Sequence, residues 1–300
     1  MFHYWAYGMC VASEIELPEL LPIEIQTPDC IVKVGPTPAK LEGKDVIDKG
    51  HIQISPSQFL LDLPNCRYYA KEGNEITLEI KDAADEKSLR LFLLTNGLAA
   101  ILHQRNKVLL HAGAIQTDKG LIVICGASGA GKSTTLHYLK QNGYQVFADD
   151  VLVLDEGNND TINAYASYPI LKLWDDSIEK LGIDTISEEQ KLREHVAKYR
   201  FSIKENFSTK AEPIYAIFQL QKNEEVQWPT ITTLSGFNAF TAVHLQLYRT
   251  AQLNTAEKNK RSFAVISKII EKTPIYQITR PSITNTLEAI KNLIESRIDH

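Results

Sequence analysis

The sequence predicts an α/β fold, a phosphate-binding core on a mixed sheet over residues 86–300 with a smaller β-rich unit at 1–85. Three observations carry this. Residues 126–133, Gly-Ala-Ser-Gly-Ala-Gly-Lys-Ser, fill every fixed position of the phosphate-loop (P-loop) pattern G-x-x-x-x-G-K-[ST]. An unbroken apolar run at 121–125 precedes them, and a helical pattern at 133–142 closed by Gly143 follows, so the loop lies between a strand and a helix. The first 80 residues carry short alternating runs between Pro, Gly and Asn, which is strand punctuation.

In chain order, residues 31–34, 52–54 and 76–80 read as strands, and 82–85 is a polar break. Residues 86–104 form a helix with Leu89, Phe92, Leu93, Ala100 and Ile101 on one stripe, apolar enough to be buried between the two units. The core then runs as strand 108–110, turn Thr117-Asp118-Lys119-Gly120, strand 121–125, loop, helix, strand 145–148 and apolar run 151–154. Gly157-Asn158-Asn159-Asp160 is a turn that joins antiparallel strands, which makes the sheet mixed. Asp176 to Glu179 and Ser187 to Gln190 have capping-box spacing and should start short helices, with Gly182 as a stop between them. Residues 214–220 are a further strand, and 228–240 follow no assignable pattern. A helix over 256–272 with Phe263, Ile266 and Ile270 on one face leads through Pro274 to strand 275–278. A last helix carries Leu287, Ile290, Ile294 and Ile298.

Composition narrows the function. The 300 residues, 44% hydrophobic and 23% charged, suit a globular chain with a sizeable core. Net charge is -5 with no run of Lys and Arg, so nucleic acid is not expected as a partner. The longest apolar stretch, about 91–102, is broken by Thr95-Asn96-Gly97, and no basic segment opens the chain, so a cytoplasmic protein without membrane partners is expected. Cys10, Cys30, Cys66 and Cys125 lack C-x-x-C spacing, which predicts reduced thiols and no zinc site, with Cys125 in the core. His103, His137 and His195 attract no special reading.

The loop predicts the chemistry. Gly126, Gly129 and Gly131 let the amides of Ala127, Ser128, Ala130 and Thr134 turn around a polyphosphate at a helix N-terminus. Lys132 reaches the β- and γ-phosphates, and Ser133 offers a hydroxyl to Mg²⁺. Asp149 and Asp150 end the strand that returns from the loop helix; if that strand lies beside the one feeding the loop, they face the same crevice. Phosphoryl transfer needs one carboxylate on the attacking hydroxyl and one on the metal. Adjacent strand residues point to opposite faces, so either a bend at the strand end or different roles for the two is required. Asp149 is assigned as base and Asp150 as metal partner, with the reverse left open. His111 closes an apolar run and on residue type alone reads as a core histidine. Lys198 or Arg200 is a further candidate for clamping phosphate.

Leu-Leu-His-Ala at 109–112, the loop at 126–134, Gly143-Tyr144 and Ala-Asp-Asp at 148–150 together resemble the catalytic core of bacterial HPr serine kinase/phosphorylase. The resemblance implies that His111, Lys132, Ser133 and the aspartate pair form a phosphotransfer site, the first aspartate acting on the acceptor serine. The chain departs from that family at 167–174, where Ser-Tyr-Pro-Ile-Leu-Lys-Leu-Trp replaces a Glu-Arg-Gly-Leu-Gly-Ile type segment. Tyr4-Trp5-Ala6-Tyr7-Gly8, Ser13-Glu14, Leu17-Pro18-Glu19-Leu20, Leu247-Tyr248-Arg249 and Pro274-Ile275-Tyr276 are instead similar to HPr-kinase-like proteins of lasso-peptide gene clusters. Those phosphorylate the C-terminal serine of a precursor peptide. The expectation is an ATP- and Mg²⁺-dependent kinase acting on a serine of a peptide or small protein. A small-molecule kinase and a nucleotide-dependent binding or switch protein are the alternatives. HPr kinases form hexamers, so a homo-oligomer is open.

Overall fold

The computed structural model describes residues 1–81, 84–157, 161–183, 186–193, 196–252, 255–282 and 285–298. The polar break at 82–85 and the turn at 157–160 fall partly, and His195 wholly, outside the described residues.

The N-terminal residues build a nine-stranded sheet. Phe2–Ala6 and Met9–Ser13 form an antiparallel pair, Cys30–Val34 and Glu75–Ile80 add in parallel, and Cys66–Lys71 and Gln58–Leu63 continue antiparallel. Period-two patterning explains the middle of the sheet: Cys66, Tyr68 and Ala70 are buried on one strand, Ile76 and Leu78 on its neighbour. Met9–Ser13 is buried at every position, which erases the alternation that would reveal it as a strand.

The helical segment 86–104 is capped by the Asp85 carboxylate, which accepts the amides of Lys87 and Ser88. A π-helical stretch, Leu93–Gly97, separates Glu86–Phe92 from Leu98–Gln104. Burial on most sides follows from its place between layers. Leu93, Leu98 and Ile101 share one core with Tyr68 and Ile76 of the first sheet, with Leu109 and Val153 of the second, and with Val151 just ahead of its strand.

The second sheet is mixed. Its order is Val108–Leu110, Leu152–Glu156, Ile162–Ala166, Glu212–Lys222, Gly120–Gly126, Ala112–Thr117, Gln145–Ala148, and Ile275–Arg280 also pairs with Glu212–Lys222. Glu212–Lys222 is parallel to both Gly120–Gly126 and Ile275–Arg280. The strand carrying the aspartates is not beside the loop-feeding strand: Ala112–Thr117 intervenes, antiparallel to each. Two reversals restore the direction, so Ala148 and Gly126 still end at the same sheet edge. Helix Leu287–Ile298 packs Ile290 and Ile294 against Leu136 and Leu139 of helix Lys132–Gln141.

Other expectations shift. The helix near 176 begins at Asp175 with Trp174 at its cap position, so Asp176 lies inside it, whereas Ser187 and Gln190 do form a capping box. Residues 228–240 contain strand Thr230–Leu234 and most of helix Gly236–His244. In helix Ala256–Lys272, Phe263 is 61% exposed and lies against Phe240, while Val265, Ile266 and Ile269 face inward with Lys258 and Ser262. The inward polar pair masks the true stripe. Cys10, Cys30, Cys66 and Cys125 are buried free thiols. Among the described residues no helix is long and apolar enough to cross a membrane.

Candidate functional site

The loop forms where Gly126 leaves its strand. Its φ is +141°, and a Cβ there would stand 2.4 Å from the Leu220 carbonyl oxygen, so the turn accepts only glycine. Gly129 and Gly131 also take positive φ, and helix Lys132–Gln141 starts directly after Gly131. No side chain caps its first turn, which leaves those amides directed at the concavity of the loop. Two side chains brace the loop from outside. Gln246 Oε1 accepts the Gly126 amide at 3.1 Å, and Arg280 donates Nε and Nη2 to the Ala130 carbonyl at 3.1 and 2.7 Å.

Within the loop Lys132 is 8% exposed, and its Nζ donates to the carbonyls of Gly126 (2.8 Å) and Ala127 (3.2 Å). Burial pushes its pKa down. Ser128 lines the pocket, Ala130 is buried beneath it, and the Thr134 hydroxyl pairs with that of Ser177 at 2.7 Å. The pocket, about 160 Å³, gathers Lys132, Lys198, Lys222 and Arg280 around the loop, a cationic setting suited to a polyphosphate.

The aspartates line the same pocket, beside the loop serine. Asp149 is 3% exposed; its Oδ1 accepts the Ser133 hydroxyl at 2.9 Å and its Oδ2 the Lys172 amide at 2.8 Å. Burial and the adjacent Asp150 push its carboxyl above the ordinary range. The structure has the bend: Asp150 takes φ +74°, outside strand geometry, and both carboxylates line the pocket. Asp150 Oδ2 accepts Lys172 Nζ at 2.7 Å. Burial alone would raise the Asp150 carboxyl, but Lys172 and then His111 hold it well below the usual range. For Lys172 burial opposes charge, yet Asp150 and Tyr168 keep it protonated. His111 Nδ1 lies 2.8 Å from the Asp150 carbonyl oxygen and 3.5 Å from Oδ1. That contact requires the proton on Nδ1, leaving Nε2 as an acceptor in the neutral ring. Burial depresses the His111 pKa and Asp150 partly offsets it, so the ring is neutral near pH 7.

The donors suit a hard cation. Among the described residues no three His, Cys, Asp or Glu side chains cluster as a preformed metal cage. Mg²⁺ is commonly held by one or two carboxylates together with substrate phosphates, and the paired Ser133 hydroxyl and Asp149 carboxylate at the loop fit that pattern.

Against known proteins the likeness is to solved structures. No family model matches it, and no curated protein matches it. A solved structure of the Hpr(Ser) kinase/phosphatase from Coxiella burnetii is similar over 63% of this chain and 95% of its own, at 17% identity and a TM-score of 0.33.

Gly126 to Thr134, Asp149, Asp150 and His111 thus converge at one sheet edge, with Lys198 in the same pocket. Arg200 does not join them. Its Nη1 pairs with Glu19 at 2.6 Å, and Glu19 also binds Arg90, so it ties strand Lys198–Ser202 to the N-terminal region. Three residues that brace the loop or pair with the aspartates escape sequence reasoning: Lys172, Arg280 and Gln246. Lys172 leaves a trace, a lone ammonium inside the apolar run Ile170–Trp174, which has to find a carboxylate if buried. The other two leave none.

Proposed function

We propose that the protein is an ATP- and Mg²⁺-dependent kinase that transfers the γ-phosphoryl group to a serine hydroxyl of a peptide or small protein. The C-terminal serine of a lasso-peptide precursor is the acceptor suggested by the sequence resemblance. The observation that carries this reading is the placement of two differently partnered aspartates, one on the loop serine and one on a buried lysine and His111, beside an uncapped helix N-terminus. Lys132 and the loop amides offset charge on the β- and γ-phosphates, and Lys198, whose pKa burial lowers, adds a cation from the facing strand.

The geometry favours exchanging the two carboxylate roles. Ser133 bonds to Asp149, so these two would hold Mg²⁺, which supplies charge neutralisation to the phosphates when bound. Asp150 then faces the acceptor: the serine Oγ attacks the γ-phosphorus, the bond to the bridging oxygen of ADP breaks, and the serine proton passes to the Asp150 carboxylate. Lys172 keeps Asp150 ionised and so a weak base, which orients the hydroxyl and takes its proton late, once bonding to phosphorus has acidified it. The neutral His111 orients it from its backbone side.

Two substitutions test the assignment. Asp150→Asn is expected to bind MgATP within about twofold of wild type and to lose transfer by roughly 10²-fold or more. Asp149→Asn is expected to lose the Mg²⁺-dependent part of ATP affinity, read by calorimetry with and without the metal. The opposite pattern would return Asp149 to the role of base.

A further inference from the structure

Among the described residues five non-glycine positions occupy the left-handed region, and three of them, Tyr7 (φ 57°), Asp150 (φ 74°) and Arg249 (φ 53°), lie around one side-chain cluster. Such conformations persist only where the surroundings over-determine them. The surroundings here are a chain of contacts from the N-terminal hairpin to the aspartates. The Tyr7 amide donates to the Ser167 carbonyl at 2.7 Å, and the Ser167 hydroxyl donates to the Asp149 carbonyl oxygen at 3.2 Å. The Tyr7 ring meets Tyr168 edge-on at 5.8 Å, and its hydroxyl is anchored on the Leu94 carbonyl at 2.9 Å. The Tyr168 phenol lies beside Lys172, whose Nζ is 5.3 Å from the centroid of that ring and 2.7 Å from Asp150 Oδ2. A Cβ at Gly8 would stand 2.8 Å from the Tyr165 ring, so the hairpin turn is fitted closely to the strand entering this segment.

A lysine is a point charge on a flexible stem, and one carboxylate does not fix its direction. We propose that Tyr168 and Tyr7 are positioning residues: they fix the Lys172 ammonium, and through it the Asp150 carboxylate, so the N-terminal sheet forms part of the phosphotransfer site. Tyr7, Tyr168 and Lys172 are each at most 3% exposed, and in so dry a setting a small displacement of the ammonium changes the field at Asp150 strongly. The inference rests on the reading of Asp150 as the acceptor-side carboxylate. Its test does not.

The carboxylate carbon signal of Asp150, assigned in isotope-edited NMR spectra with Asp150→Asn, reports the pairing at fixed pH without substrate. Lys172→Met sets the full displacement of that signal. Tyr168→Phe and Tyr7→Leu are expected to move it part of the way, and Tyr168→Phe to move it no further in a Lys172→Met background. MgATP affinity should hold within about twofold while phosphoryl transfer falls at least about tenfold. A wild-type signal in both Tyr168→Phe and Tyr7→Leu overturns the proposal whatever the activities do; this comparison with wild type suffices even if Lys172→Met does not fold. A displaced signal in a protein that transfers no phosphate supports the positioning and refutes the kinase reading.

Discussion

Gly131 stands at φ +105°, and a Cβ there would lie 2.9 Å from the Arg280 Nη2 that grips the loop. Gly131→Ala combines left-handed strain of roughly 1–2 kcal/mol with displacement of that guanidinium. A fall of several degrees in Tm and a loss of MgATP affinity are expected, read by scanning and titration calorimetry; unchanged affinity would detach Arg280 from loop geometry. The loop was legible residue by residue because positive φ and close backbone approach restrict what can occupy it. Lys172 was not, because its partner is held on another segment and local sequence does not report pairing. Arg200 shows the converse: a cation near the right strand, spent on Glu19 instead. Strand alternation alone left a bend at the aspartates or different roles for the two, and which carboxylate takes the Ser133 hydroxyl depends on how the bend turns.

Helix Ala256–Lys272 separates pattern from burial. Ile266 is fully buried and Phe263 is 61% exposed, so Ile266→Ala should cost roughly 2–5 kcal/mol, while Phe263→Ser should change denaturant stability by less than about 0.5 kcal/mol. Equal losses would mean that the aromatic contact with Phe240 is structural. Helix Leu98–Gln104 offers a titration test. His103 is buried, with Nε2 on the Tyr248 carbonyl oxygen at 3.0 Å, and burial pushes its pKa down to about 4. Its pKa in the unfolded chain is about 6.5, so the unfolded state binds the proton more readily and stability falls as pH drops from about 6.5 to about 4, by roughly 3 kcal/mol at most. His103→Gln, which can keep the donor to Tyr248, should flatten that part of the pH–stability curve; an unchanged slope would show that the ring is charged in the fold. Elements with a clean period were readable, including the last helix with Leu287, Ile290, Ile294 and Ile298. Those buried on two faces, or carrying an inward lysine, were not.

The two sheets share one hydrophobic core through helical segment 86–104, with Leu98 and Ile101 between Tyr68 on one side and Val151 on the other. A chain beginning at residue 86 would expose that face, so we expect it to aggregate or bind a hydrophobic dye where the full chain does not; a monomeric, cooperatively melting fragment would show that 1–85 is dispensable for folding. Strand order at this scale was beyond local pattern, since pairing such as Cys30–Val34 with Glu75–Ile80 joins distant segments. The functional edge does not need the two strands to be adjacent, because two antiparallel steps preserve direction. The measurement that tests the phosphotransfer claim most directly is mass spectrometry of serine-ended precursor-like peptides, HPr and small hydroxyl compounds after incubation with MgATP and protein. One phosphate is expected on a peptide or protein serine with wild type and none with Asp150→Asn; phosphate only on a small compound, or full transfer by the variant, would rule out the serine kinase with Asp150 as its base.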